Sequence, residues 1–159
     1  MATRAVFTPL AAEFPSANFP ELSQINARPV LGFDAATNES CQWTDVAPQG
    51  LTGTLTALVY YVMASATSGD VDVDVSIEAV TDGDAVDLDA VDSFDTINST
   101  DNTTVPGTAG HIDVISVTLT NKDNIAAGDY FRLKLTRDAA SDTATGDMYV
   151  LGVELRDGA

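Results

Sequence analysis

Carboxylates are the side chains with the most chemical capacity in this sequence, and they crowd most closely at Asp82, Asp84, Asp87 and Asp89. Such a run invites a calcium reading, because hard cations take several carboxylate oxygens from a flexible loop. Its spacing departs from the calcium-binding loop between two helices, which places Gly sixth, whereas Gly83 falls second here. No metal or other cofactor is expected. Paired carboxylates are also what glycoside hydrolysis requires, with one member's pKa raised by burial. The alternation of residues 70–80 turns Asp70, Asp72, Asp74 and Glu78 toward water, so no catalytic pair is expected. Cys41 is the only cysteine, which excludes an internal disulfide and reads as a small buried apolar group. His111 is also alone, within Gly-His-Ile-Asp, and presents no nucleophile motif. Trp43, Tyr60 and Tyr61 could form a sugar-stacking platform, but Tyr60 and Tyr61 must face opposite sides of one strand. Asn38-Glu-Ser, Asn98-Ser-Thr and Asn102-Thr-Thr match the glycosylation triplet, the last two in a polar stretch expected to be an exposed loop.

The balance of charge excludes whole classes of partner. Against 24 acids stand 7 bases, net −17, and neither Lys nor Arg occurs between Arg28 and Lys122. Nucleic-acid binding draws on cationic side chains that neutralise phosphates, and an anionic membrane surface needs the same groups. Neither partner is expected. Asp supplies 19 of the acids and Glu only 5, a low-helix composition in which Thr and Val favour pleated surfaces. The acidity serves solubility through net repulsion, and its sharper reading is adaptation to concentrated salt. No window approaches the roughly 18 apolar residues of a membrane span, and residues 1–10 lack an apolar run of signal-peptide length.

The elements that must carry these side chains are strands. Residues 53–63 are apolar on both faces, as a central or covered strand would be, and 70–80 alternate Val71, Val73, Val75 and Ile77 against acids. Residues 129–137 and 147–156 alternate similarly, and weaker strands are expected at 30–33, 41–44 and 86–94. Residues 111–120 change phase between Val114 and Ile115, which predicts a bulge there. Most of the base lies at Arg132, Lys134 and Arg137, in phase with the acids of 70–80, so those two strands are predicted to pair. Seven or eight antiparallel strands make an all-β protein, a β-sandwich.

Residues 1–28 differ from the rest, with Pro9, Pro15 and Pro20 interrupting any helix. Phe7, Leu10, Phe14, Phe19, Leu22 and Ile25 supply large apolar groups that a solvated linker would lack, so the segment is expected to be an extended arm on a domain spanning 29–159. Those six side chains are the candidate interface. The arm either wraps its own domain or buries its aromatics on a neighbouring subunit.

Several phrases are similar to a jelly-roll module of tailed-virus structural proteins. They are Phe33-Asp34-Ala35-Ala36-Thr37-Asn38-Glu39-Ser40-Cys41-Gln42-Trp43 with Ala47-Pro48-Gln49-Gly50, then Gly69-Asp70-Val71 and Ala127-Gly128-Asp129-Tyr130. Arg137-Asp138-Ala139-Ala140-Ser141-Asp142-Thr143 and Gly146-Asp147-Met148-Tyr149-Val150-Leu151-Gly152-Val153 complete the set. The resemblance covers about residues 33–156. It implies a non-enzymatic virion component, a capsid decoration (cement), turret or tail-appendage subunit at the virion surface. It also implies a homotrimer that contacts the major capsid protein or other virion proteins. A carbohydrate-binding module of a host-recognition appendage shares the sandwich and is the alternative, and a hydrolase on the same scaffold lacks the expected ligand cluster.

Overall fold

The alternations above become ten strands and a single 3-10 turn at Pro9–Ala11 in a computed structural model that describes residues 1–90 and 92–158. The strands are β1 (Ala2–Phe7), β2 (Glu21–Ile25), β3 (Arg28–Phe33), β4 (Glu39–Val46), β5 (Leu55–Met63), β6 (Asp70–Val80), β7 (Asn98–Thr104), β8 (Asp113–Leu119), β9 (Tyr130–Arg137) and β10 (Met148–Asp157). They form two antiparallel sheets. One runs β2-β3-β10-β5-β8, with β1 also paired to β10, and the other runs β4-β9-β6-β7. One parity of β5 (Leu55, Ala57, Val59, Tyr61, Met63) and of β10 (Met148, Val150, Val153, Leu155) faces Val71, Val73, Val75 and Ile77 of β6 and Phe131, Leu133 and Leu135 of β9 across a single core. The β-sandwich expected from the alternation is the fold observed.

The predicted pairing of acid-bearing and base-bearing strands holds, with Glu78 opposite Arg132 and Ser76 opposite Lys134. Three other expectations are corrected. No strand forms among the described residues of 86–94, and β7 arises instead from Asn-Ser-Thr-Asp-Asn-Thr-Thr, which carries no apolar alternation. Its backbone completes the edge of β6, and buried Asn98 donates through Nδ2 to the carbonyls of Val75 (3.1 Å) and Asn121 (2.7 Å). Asn98 is therefore not an exposed glycosylation acceptor. The bulge expected in β8 is absent, because β8 keeps continuous register with β5 from Leu119 to Asp113. Ile115, Val117 and Leu119 point inward, while Val114 and the preceding Ile112 are apolar groups on the outer side. The register of β10 against β5 shifts between Val150 and Gly152 instead.

Residues 1–28 are not an arm beside a separate domain. β1 pairs with β10 and β2 with β3, so residue 28 marks no boundary. Phe7 is buried, its ring 5.8 Å from that of Trp43, whose Nε1 donates to the Thr8 carbonyl at 3.0 Å. Glu13 and Gln42 exchange backbone hydrogen bonds. The segment wraps its own sandwich.

Three charged side chains expected in water are buried. Asp72 is covered by the edge strand β7, where it accepts from the Asn102 amide. Arg137 shares the inward parity of Leu135 and is fully enclosed, with Nε 2.6 Å from Asp142 and Nη1 donating to the carbonyls of Phe33 (3.1 Å) and Gly146 (3.0 Å). Glu78 lies on the outer parity of β6, but the end of the segment that follows β6 folds over it. Ser93 donates to it from backbone N (2.7 Å) and Oγ (2.9 Å), Arg132 pairs with it, and Phe94 lies under the cations of Arg132 and Lys134 at 4.8 and 4.4 Å. Burial alone would raise its pKa, yet the Arg132 and Ser93 hydrogen bonds outweigh that and hold it below the ordinary value.

Candidate functional site

The parity that does not face the core makes the outer surface of the six-stranded sheet, and there it is mostly apolar. Register aligns Val6 with Glu154, Glu154 with Leu58, and Leu58 with Ser116 in one row across the strands. The next row aligns Gly152, Tyr60 and Val114. A trough of about 520 Å³ runs over these rows, lined by Thr3, Val6, Tyr60, Ile112, Leu151 and Glu154 among others, and Ile112 and Leu151 carry it into a second hollow reaching Ile25, Arg28 and Val62. Val6 and Ile112 stand out at its edges, 65% and 62% exposed. The register shift in β10 shapes the floor: Gly152 passes so close to β1 that a Cβ there would lie 3.0 Å from the Phe7 carbonyl oxygen.

The charges of this sheet are few, and those of β1 and β10 satisfy one another. The six strands carry four acids (Glu21, Asp113, Glu154, Asp157) and three bases (Arg4, Arg28, Arg156), net −1, whereas the rest of the chain holds 20 acids and four bases, net −16. Arg4 pairs with Asp157 at 2.6 Å. Glu154 accepts from Arg156 (2.7 Å), Thr3 and the Tyr60 hydroxyl (3.0 Å). Its carboxyl is held down to about 2, chiefly by Arg156, then by Thr3 and Tyr60 against the opposing effect of burial. The same bond pushes the Tyr60 phenol up. Because the folded-state pKa of Glu154 is lowered, its stabilising contribution is complete above the unfolded value and is lost as pH falls through the folded one. A side-chain carboxyl NMR titration is expected to place its midpoint near 2, and a midpoint in the ordinary Glu range would show that the Arg156 contact does not persist in solution.

The expected interface residues do not converge on one site. Phe7 is in the core, and Leu10 is 71% exposed at the surface of the 3-10 turn. Phe14, Phe19 and Leu22 line a separate open cleft with Glu21, Asp34, Glu39 and Asp147, the two rings 5.6 Å apart and tilted 47°. Ile25 lines the end of the sheet trough. Sequence reasoning missed Val6, Ile112, Leu151 and Glu154. The signal for Ile112 was the phase change read as a bulge, since two apolar residues of the wrong parity also describe an apolar outer face.

Other candidates fall away. Trp43 and Tyr61 are buried, the Tyr61 hydroxyl donating to Asp113 at 3.0 Å, so neither offers a ring to a sugar. Cys41 is enclosed, and burial pushes its thiol well above the ordinary range. Among the described residues no group of three or more His, Cys, Asp or Glu side chains is placed to hold a metal ion.

No family model matches the sequence, and no curated protein matches it. Solved structures do match in fold. A family 35 carbohydrate-binding module from an environmental isolate aligns at TM-score 0.57 and 13% identity over 97% of this chain and 93% of that one. A family 35 carbohydrate-binding module from Clostridium thermocellum aligns at 0.52 and 15%, over 99% and 100%. The carbohydrate-binding module CBM6cm-2 from Cellvibrio mixtus lichenase 5A, in complex with cellotriose, aligns at 0.51 and 12%, over 99% and 100%. At these identities the likeness is one of fold: the chain is a jelly-roll β-sandwich of the architecture those modules share.

Proposed function

We propose that this chain is a non-enzymatic structural module of a virion, a decoration (cement), turret or tail-appendage subunit, held in place by protein contacts across the open face of its six-stranded sheet. One observation carries this reading: a near-neutral apolar sheet face set on a body whose remainder is net −16. Exposed apolar faces of this extent are interfaces, because water is released when they are covered. The acidic remainder suits the solvent side of a particle and keeps nucleic acid away. The phrases that resemble those of tailed-virus jelly rolls support the same reading. The test is binding to the particle. Purified chain added to particles lacking it is expected to appear as ordered density in a cryo-EM reconstruction, and Ile112→Asp is expected to weaken that binding at least tenfold. Unchanged binding by the variant would remove the sheet face from the reading, and no binding by the wild type would remove the virion.

A second reading, carbohydrate binding, is favoured by the cleft of Phe14 and Phe19. Two exposed rings beside Glu21, Asp34, Glu39 and Asp147 can take the apolar face of a pyranose while the carboxylates accept from its hydroxyls. The fold shared with solved carbohydrate-binding modules adds support. A glycan array separates the readings: a hit abolished by Phe14→Ala and Phe19→Ala supports the sugar.

A further inference from the structure

We infer that the partner covering the trough on the six-stranded sheet is a second copy of this chain, and that their association strengthens as salt is added. This rests on the assembly reading above and names its partner. The argument is one of charge. A cationic partner would be drawn to the net −16 remainder rather than to a sheet of net −1 whose ions on β1 and β10 are already paired with each other. A neutral apolar face on an acidic body is what an equally acidic body needs if the two are to touch. Another copy of the chain meets that condition at matched charge.

The dimensions agree. Five strands about 4.8 Å apart and about nine residues long at about 3.3 Å each give a face of about 24 by 30 Å. That is about 700 Å² per copy, close to the roughly 800 Å² per partner of stable complexes. The relief agrees too: Val6 and Ile112 project beside a trough floored by Leu151 and Gly152, so the face offers both apolar knobs and an apolar hollow to receive them. The ions on the floor are satisfied within the copy, since Glu154 accepts from Arg156, Thr3 and Tyr60. Covering Glu154 therefore leaves no unpaired carboxylate, the costly outcome of burying such a group.

Salt dependence separates this contact from one made by opposite charges. Repulsion between two acidic bodies is screened as the Debye length falls from about 10 Å at 0.1 M to about 3 Å at 1 M, whereas attraction between opposite charges is weakened by the same change. Sedimentation equilibrium of the full chain in 0.1 M and 1 M NaCl is the test. The wild type is expected to self-associate, with a dissociation constant at least about tenfold tighter at the higher salt. The Val6→Asp/Ile112→Asp double variant is expected to stay monomeric at both concentrations. Val46→Asp, an equally exposed apolar position on the other sheet, is expected to behave as wild type. Should the double variant melt early, Val114→Lys, on the same face, makes the same test. A wild type that is monomeric in 1 M salt overturns the proposal, as does association indifferent to the double variant or weakened by salt. A monomer that still decorates particles sinks the second copy and leaves the virion role standing, while a self-associating chain that ignores particles does the reverse.

Discussion

Replacing Arg137 with Ala is expected to cost about 3–5 kcal/mol, enough to lower the melting temperature of a domain this size by on the order of 10 °C. The guanidinium and the Asp142 carboxylate are both sealed from water, so losing the cation leaves a buried anion and strips donors from the carbonyls of Phe33 and Gly146. Those bonds also hold the loop between β9 and β10 against the start of β6. Thr143 and Ala144 donate to the Asp70 carbonyl at 3.0 and 2.9 Å, and the Thr143 hydroxyl accepts from the Asp70 amide at 2.8 Å. The approach is so close that a Cβ on Gly69, at φ +88°, would meet the Ala144 backbone at 2.8 Å. Urea denaturation measures the loss. Arg137→Met combined with Asp142→Leu, which removes both charges, is expected to regain a large part of it, since a buried pair is cheaper to replace whole than to break. A single variant within about 1 kcal/mol of wild type would show that water reaches this cluster.

Phe7→Ala is expected to cost a similar amount, about 3–5 kcal/mol, and to act locally as well. The Phe7 ring stacks on Trp43 and meets Phe131 edge-on at 6.2 Å, tying β1 into the core. Amide exchange of residues 2–13 is expected to accelerate in the variant more than exchange in β6 or β9. Deleting residues 1–28 goes further, because it removes two strands of the sheet and uncovers Trp43 and Leu31. The truncated chain is expected to lose cooperative unfolding, so the deletion reports on folding and not on docking. A truncated chain with an intact cooperative melt would restore the reading of a dispensable arm.

Much of the fold was legible because it rests on period-two alternation, which β6, β9 and β10 display openly. β7 was not, since it is held by a neighbour's edge and a buried Asn98 rather than by apolar residues of its own. Arg137 was misplaced for a related reason. A charged residue at an inward position looks like a solvent residue until its partners are known. Asp142 and Gly146 lie in the loop just after it, whose path no alternation predicts, and the Phe33 carbonyl is brought in by the tertiary fold. The candidate site was half visible. The large apolar residues of 1–28 were conspicuous by composition, but their division among core, cleft and trough depends on how β1 and β2 join the sheet. Ile112 and Val114 were visible and misread, because strand pattern alone cannot tell an apolar outer face from an inserted residue.

The two outer faces of the sandwich are not equivalent. One is bare, and the other carries Ser93 and Phe94 laid over Glu78, Arg132 and Lys134, with acids beyond. A tile glued on one side and glazed on the other takes one layer against its glued side and no more, and whatever it joins, it always presents the same side outward.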